Sequence, residues 1–139
     1  MRYITVPVHP TPPAYPDSLR IPSGVSIANN MMLARLHRGP SALTYEWFYQ
    51  RVRLNGPWDY KNRIAREYAD FGNFNYGATG TAAGIPEQIL LRAAGWAQSR
   101  SGNGRNEDNA WFGSSPFGDD PDDQAWIKAG IDYAKRTGF

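Results

Sequence analysis

The sequence predicts a mainly α-helical domain of about five helices. A short β-hairpin or irregular Gly/Asn loop interrupts it, and a lysozyme-like α+β plan is the nearest variant. Three observations carry this reading. Apolar residues recur at helical spacing in several segments bounded by cap and stop residues. Two long Gly-, Ser- and Asn-rich stretches break that pattern without matching a repeat. The length, 139 residues with 41% hydrophobic and 14% aromatic content, suits one domain with a sizeable core.

Residues 1–22 hold six of the eleven prolines, among them Pro10, Pro12, Pro13 and Pro16, and read as an extended arm or linker. Residues 23–139 read as the single domain. A first helix starts at Ser26 and carries Ile27, Met31, Leu33 and Leu36 until Gly39-Pro40 stops it. A second is capped by Ser41, places Leu43, Trp47 and Leu54 on one face, and ends at Asn55-Gly56-Pro57. A third spans Trp58 to about Asp70, with Ile64 and Tyr68 a turn apart. Phe71–Gly80 is then so rich in Gly and Asn that a hairpin or irregular loop is expected there. Pro86 opens the next helix, with Glu87 in its first turn and Ile89, Leu90, Ala93, Ala94 and Ala97 following. Residues 101–118 form a second loop containing Trp111 and Phe112. Asp120-Pro121-Asp122-Asp123 caps a last helix bearing Trp126, Ile127, Ile131 and Tyr133.

Composition excludes several chemistries. There is no cysteine, which removes disulfides, zinc ribbons and thiol nucleophiles, and two histidines are too few for a multi-histidine metal site. No metal or other cofactor is therefore expected. No apolar run is long enough to span a membrane. No apolar segment follows Met1-Arg2-Tyr3-Ile4, so a cleavable secretory signal is not expected, and export would fall to a carrier. The net charge of +2 hides a gradient: +3 over residues 1–40, +3 over 41–105 and −4 over 106–139. Such a balance does not mark a nucleic-acid binder.

Without a Gly-x-Ser-x-Gly elbow, a Walker loop or a His-Glu-x-x-His motif, catalysis would rest on carboxylates, amides, Tyr hydroxyls and basic groups. These concentrate between Trp58 and Thr79. Asp59, Glu67 and Asp70 are the candidate catalytic acids. Trp58, Tyr60, Lys61, Asn73, Asn75, Tyr76 and Thr79 are the candidate substrate-binding residues. An acid packed among Trp58, Tyr68, Phe71 and Phe74 would hold its proton near neutrality, as glycoside hydrolysis requires of its general acid. The competing expectation is an i,i+4 ladder, Asp59–Arg63, Arg63–Glu67 and Arg66–Asp70, on an ordinary solvated helix. The aspartates at 119, 120, 122 and 123 read as helix capping, because they lack the ligand spacing of a calcium loop.

The strings Trp47-Phe48-Tyr49, Gly56-Pro57-Trp58-Asp59-Tyr60-Lys61, Phe71–Gly80, Leu91-Arg92-Ala93-Ala94-Gly95-Trp96-Ala97-Gln98 and Phe117-Gly118-Asp119-Asp120-Pro121, with Asp123-Gln124 after it, together resemble the bacterial polymorphic toxin type 44 domain. The resemblance runs over roughly residues 41–135. It implies a toxin domain of a large delivery protein, a carrier that exports it and a cognate immunity protein that neutralises it. Members of that family have been catalogued as candidate ribonucleases. The family's motif positions fall on Trp58, Asp59, Tyr60, Lys61, Asp70, Asn73, Asn75 and Tyr76.

Three readings compete. The leading one is an antibacterial hydrolase that cleaves peptidoglycan glycan strands in the target-cell periplasm, using carboxylate acid–base chemistry and no membrane insertion. The second is a metal-independent ribonuclease acting in the cytoplasm, with RNA as substrate. The third is a non-catalytic carbohydrate-binding or phage structural module.

Overall fold

The computed structural model describes residues 16–39, 41–100 and 112–139. Among them the chain forms six α-helices and no strand: α1 (Ile27–Leu36), α2 (Ala42–Val52), α3 (Tyr60–Arg63), α4 (Ala69–Ala82), α5 (Glu87–Gln98) and α6 (Pro121–Arg136). A single 3-10 turn, Arg66–Tyr68, leads into α4. The mainly α class is as expected, and five of the helices are ten residues or longer. None of the described helices is long and apolar enough to cross a membrane. Residues 1–15 of the proline-rich arm and 101–111 of the second loop, with Trp111, lie outside the described residues. The end of the arm is packed, since Leu19 is buried in the core and its N–H bonds the Pro16 carbonyl.

Several helix ends follow from local chemistry. Ser26 caps α1 through a hydrogen bond from the Asn29 N–H at 3.1 Å, which satisfies one of the donors a helix start leaves unpaired. Asp120 caps α6 by accepting from the N–H groups of Asp122 (2.7 Å) and Asp123 (3.2 Å), with Pro121 in the first turn.

The largest departure from expectation is Phe71–Gly80. It is no hairpin or loop but the body of α4, which packs against α6, α1, α3 and α5. Tertiary burial here overrides weak helix propensity. Phe71, Phe74, Asn75, Ala78, Thr79 and Ala82 recur at helical spacing and all are buried. The glycines serve a second face. A Cβ at Gly77 would come within 2.1 Å of the Ile127 carbonyl oxygen, and one at Gly130 within 2.0 Å of the Phe74 carbonyl oxygen. These two glycines, one from each helix, let the α4 and α6 backbones meet directly. Beside the crossing, the Phe74 and Tyr133 rings lie 5.4 Å apart.

Smaller corrections concern which faces are inside. On α2, Leu43 is exposed, as is Leu54 in the turn just beyond it, while Thr44 and Phe48 are buried and Trp47 is half-buried. Leu36 and Ile89 also point outward, leaving Met31 and Ala34 on α1 and Leu90 and Leu91 on α5 as core residues. Trp58 to Asp70 is not one continuous helix. It breaks after Arg63, and Ile64 is exposed. The ion-pair ladder therefore does not form. Among the described residues no ion pair joins Asp59 to Arg63, Arg63 to Glu67 or Arg66 to Asp70.

Candidate functional site

The sequence-derived candidates separate into three groups. Asp59 and Glu67 are engaged in holding loops. Asp59 accepts from the Asn55 N–H at 2.8 Å and from the Asn62 amide with both oxygens, at 3.0 and 2.8 Å. Glu67 pairs with Arg20 at 3.1 Å, both side chains being well exposed. Asn75 and Thr79 lie in the core, neither with any exposed surface. Thr79 donates to the Asn75 carbonyl one turn back, and Asn75 Oδ1 accepts from Asn30 at 2.9 Å. Trp58 and Tyr60 are also buried, Trp58 edge-on to Trp47 and Phe48, Tyr60 edge-on to Phe71.

The third group converges. Lys61 from α3, Asp70 and Asn73 from α4, and Asp123 from the first turn of α6 meet where α4 and α6 pack. Asn73 Nδ2 donates to Asp123 Oδ1 at 3.1 Å. Lys61 and Asp70 lie close enough to act on the Asp123 charge, in opposite senses. Burial, reinforced by the neighbouring Asp119, Asp120 and Asp70 carboxylates and opposed by Lys61, pushes the Asp123 carboxyl up to about 6 from an ordinary 3.8. Its second oxygen accepts no hydrogen bond among the described residues.

Asp119 extends the cluster. Gln124 Nε2 donates to its Oδ2 at 2.8 Å, and the Asp120 N–H donates to its Oδ1 at 2.8 Å. Burial outweighs these bonds and raises the Asp119 carboxyl above the usual range. Gln124 also donates to the Leu91 carbonyl, tying the start of α6 to α5. Tyr76 donates its hydroxyl to the Leu90 carbonyl at 2.6 Å, and burial followed by the Asp119 charge pushes its ionisation up. Asp70, Asn73, Asp119, Asp123 and Tyr76 thus make up one acidic cluster, with Asp70 exposed at its edge and Lys61, also exposed, as its counter-charge.

The helix-start role read for the four aspartates holds in that Asp120 caps α6 and Asp122 and Asp123 occupy its first turn; what that role leaves out is the set of further contacts of Asp119 and Asp123. A usable signal was present. The buried stripe of α6 at Ile127, Gly130, Ile131 and Ala134 extends backward at helical spacing to Asp123 and Gln124, so a carboxylate and an amide occupy core-facing positions. The chemical capacity of the cluster is proton transfer. A carboxyl titrating near 6 both gives and takes a proton at neutral pH, unlike an ordinary solvated aspartate. Among the described residues no three His, Cys, Asp or Glu side chains form a metal-binding group.

No curated protein and no solved structure matches the chain. Residues 64–136, which contain α4, α5, α6 and every acid of the cluster, match the sequence profile described as bacterial toxin 44. The chain belongs to the bacterial toxin 44 family.

Proposed function

We propose that this toxin domain is a hydrolase that cleaves the glycan strands of peptidoglycan, with Asp123 as the proton-handling carboxyl. The observation that carries the reading is the half-buried Asp123 side chain, held by Asn73 and titrating near 6 beside a second acid, Asp70. Glycoside hydrolysis uses such a pair, one carboxyl protonated by its environment and one ionised. Asp123 gives its proton to the glycosidic oxygen as the bond to the anomeric carbon breaks. Asp70 stabilises the positive charge that develops on the sugar ring. Water then adds to the anomeric carbon and its proton passes to Asp70; Asp70 releases that proton to solvent, and Asp123 takes one up from solvent, which restores the starting state.

The local field favours a glycan over a polyanion. Asp70, Asp119 and Asp120 stand with Asp123 against Lys61, a balance that repels a phosphodiester backbone. Lys61 beside the proton-handling acid is the feature that suits a ribonuclease, and the surrounding carboxylates outweigh it. On this reading the domain is carried out of the producing cell by a delivery protein, acts in the periplasm of a target bacterium, and is held in check by an immunity protein.

The test is direct. Purified domain is incubated with bacterial sacculi and, separately, with total RNA, alongside Asp123→Asn and Asp70→Asn. Muropeptide release by the wild type, lost in Asp123→Asn, with RNA intact, is the expected result. Degraded RNA with intact sacculi overturns the assignment.

A further inference from the structure

The Asp123 carboxyl has one bonded neighbour. Asn73 counts among the candidate substrate-binding residues, yet one of its two amide hydrogens is directed at Asp123 Oδ1, with Nδ2 3.1 Å away. Both side chains are half-buried. Among the described residues no other hydrogen bond and no ion pair reaches the Asp123 carboxyl. The charged groups that act on it do so through space: Asp119 and Asp120 ahead of α6, Asp70 on α4 and Lys61 on α3.

Backbone contact sets the distance between the two. Gly77 lies one turn beyond Asn73 on α4, and Ile127 one turn beyond Asp123 on α6. A Cβ at Gly77 would collide with the Ile127 carbonyl, and one at Gly130 with the carbonyl of Phe74, which adjoins Asn73. The main chains therefore touch within a turn of the pair, and both side chains are short. The Asp123 N–H is held in addition by the Asp120 cap at 3.2 Å. A donor supported in this way keeps its place while the acid changes charge.

In a neutral carboxylic acid the carbonyl oxygen is the better acceptor, so an N–H aimed at Oδ1 leaves the Asp123 proton on Oδ2. When that proton leaves, the same contact becomes a charge-assisted bond, roughly twice as strong as a neutral one. The interaction therefore grows as the proton is given up. That growth is what allows a hydrogen bond to lower a barrier as well as to hold a side chain. We propose that Asn73 is the positioning residue of this acid: it fixes the Asp123 proton on Oδ2 and stabilises the carboxylate left behind when that proton is transferred. The consequence for cleavage rests on the hydrolase reading above, whereas the orientation of the carboxyl does not.

The Asp123 carboxyl is titrated by carboxyl-carbon NMR on the full chain for wild type, Asn73→Leu, Asn73→Ala and Asn73→Gln, with Asp123→Asn identifying the signal. Cleavage of sacculi is followed against pH in parallel. Asn73→Leu keeps the volume and removes the donor, and should raise the Asp123 titration by about one pH unit. Asn73→Ala, which removes the donor without adding bulk, should raise it as well, and Asn73→Gln, which keeps an amide, should hold most of the wild-type value. In Asn73→Leu, kcat should fall by about tenfold with KM little changed, and the alkaline limb of the pH profile should move up with the titration. A residue that only packs would leave the titration in place, so an unmoved signal in the folded Leu and Ala variants overturns the proposal. A downward shift overturns it too, because the amide is then turned round and its carbonyl accepts the Asp123 proton. If sacculi stay intact while the titration rises in Asn73→Leu, the orientation of the acid stands and the hydrolase reading falls. If sacculi are cleaved and the titration does not move, the reverse holds.

Discussion

Helices α4 and α6 form the most extensive packing in the molecule, yet they reach it by opposite routes. In α6 a polar face is set against the stripe Ile127, Gly130, Ile131, Ala134, with an Asp cap in front and Lys135 and Arg136 in its last turn. Every local rule agrees with the helix. In α4 the local rules disagree: three glycines and two asparagines stand among fourteen residues, and no side chain caps the start. That helix is buried on most of its circumference, so polarity cannot mark a solvent side. A helix that meets water on one side advertises itself in sequence, and one enclosed by its neighbours does not. The same contact places the acidic cluster, because Asn73 comes from the cryptic helix and Asp123 from the legible one.

The largest expected effect comes from removing the acid where these helices meet. Asp123→Asn should lower hydrolysis by about 10²–10⁴-fold. It should also stabilise the fold at neutral pH. The Asp123 carboxyl titrates near 6 in the folded chain against an ordinary 3.8, so between those values the folded state keeps a proton that the unfolded chain has released. Stability from this group therefore falls as pH rises from about 4 to 6. The Asn variant should melt a few degrees above wild type at pH 7 and lose that advantage at pH 4, as read by thermal unfolding at both values. Equal melting at pH 7 would show that Asp123 is not held in a disfavoured environment.

Next in size is the crossing itself. Gly77→Ala and Gly130→Ala each place a methyl about 2 Å from a carbonyl oxygen of the facing helix, with backbone rather than a flexible side chain in the way. Each should cost about 3 kcal/mol, near the upper end of overpacking effects, and lower Tm by roughly 6–12 °C. If either variant melts like wild type, the two backbones do not meet as described.

The cap of the legible helix is worth less. Asp120→Ala removes the acceptor for two N–H groups and should cost about 1 kcal/mol. The smallest effect has the opposite sign. Nothing lies within 4 Å of a Cβ at Gly72, which sits in α4 with ordinary helical dihedrals. Gly72→Ala should therefore stabilise by about 0.5–1 kcal/mol, measured in urea. Together, Gly72 and Gly77 separate the glycines that only weaken α4 from those its packing requires.

Much of the candidate site was within reach of the sequence, though not its centre. Of the residues that residue type and spacing point to, Asn73 bonds Asp123, Lys61 and Asp70 act on its charge, and Tyr76 lies within the field of Asp119. Asp119 and Asp123 are not among them, because four aspartates around a proline satisfy helix capping so well that no second role is called for. Asp59 and Glu67 attracted notice as acids near a glycine-rich stretch. Their neighbours turned out to be an asparagine, a backbone N–H and an arginine from the distant Arg20 segment. Sequence proximity to a special segment does not say which way a carboxylate turns.

What the chain order alone determined is the helical class, the starts of α1 and α6, and the absence of thiol chemistry. Each of these depends on residue type or on neighbours within a turn or two. What only the tertiary structure decided is that Phe71–Gly80 is a helix and that the Asp123 carboxyl is half-buried and held near 6. Both depend on groups brought together across about 50 positions of sequence, as Asn73 and Asp123 are. Desolvation and backbone contact arise from such long-range neighbours, and local propensity carries no record of them.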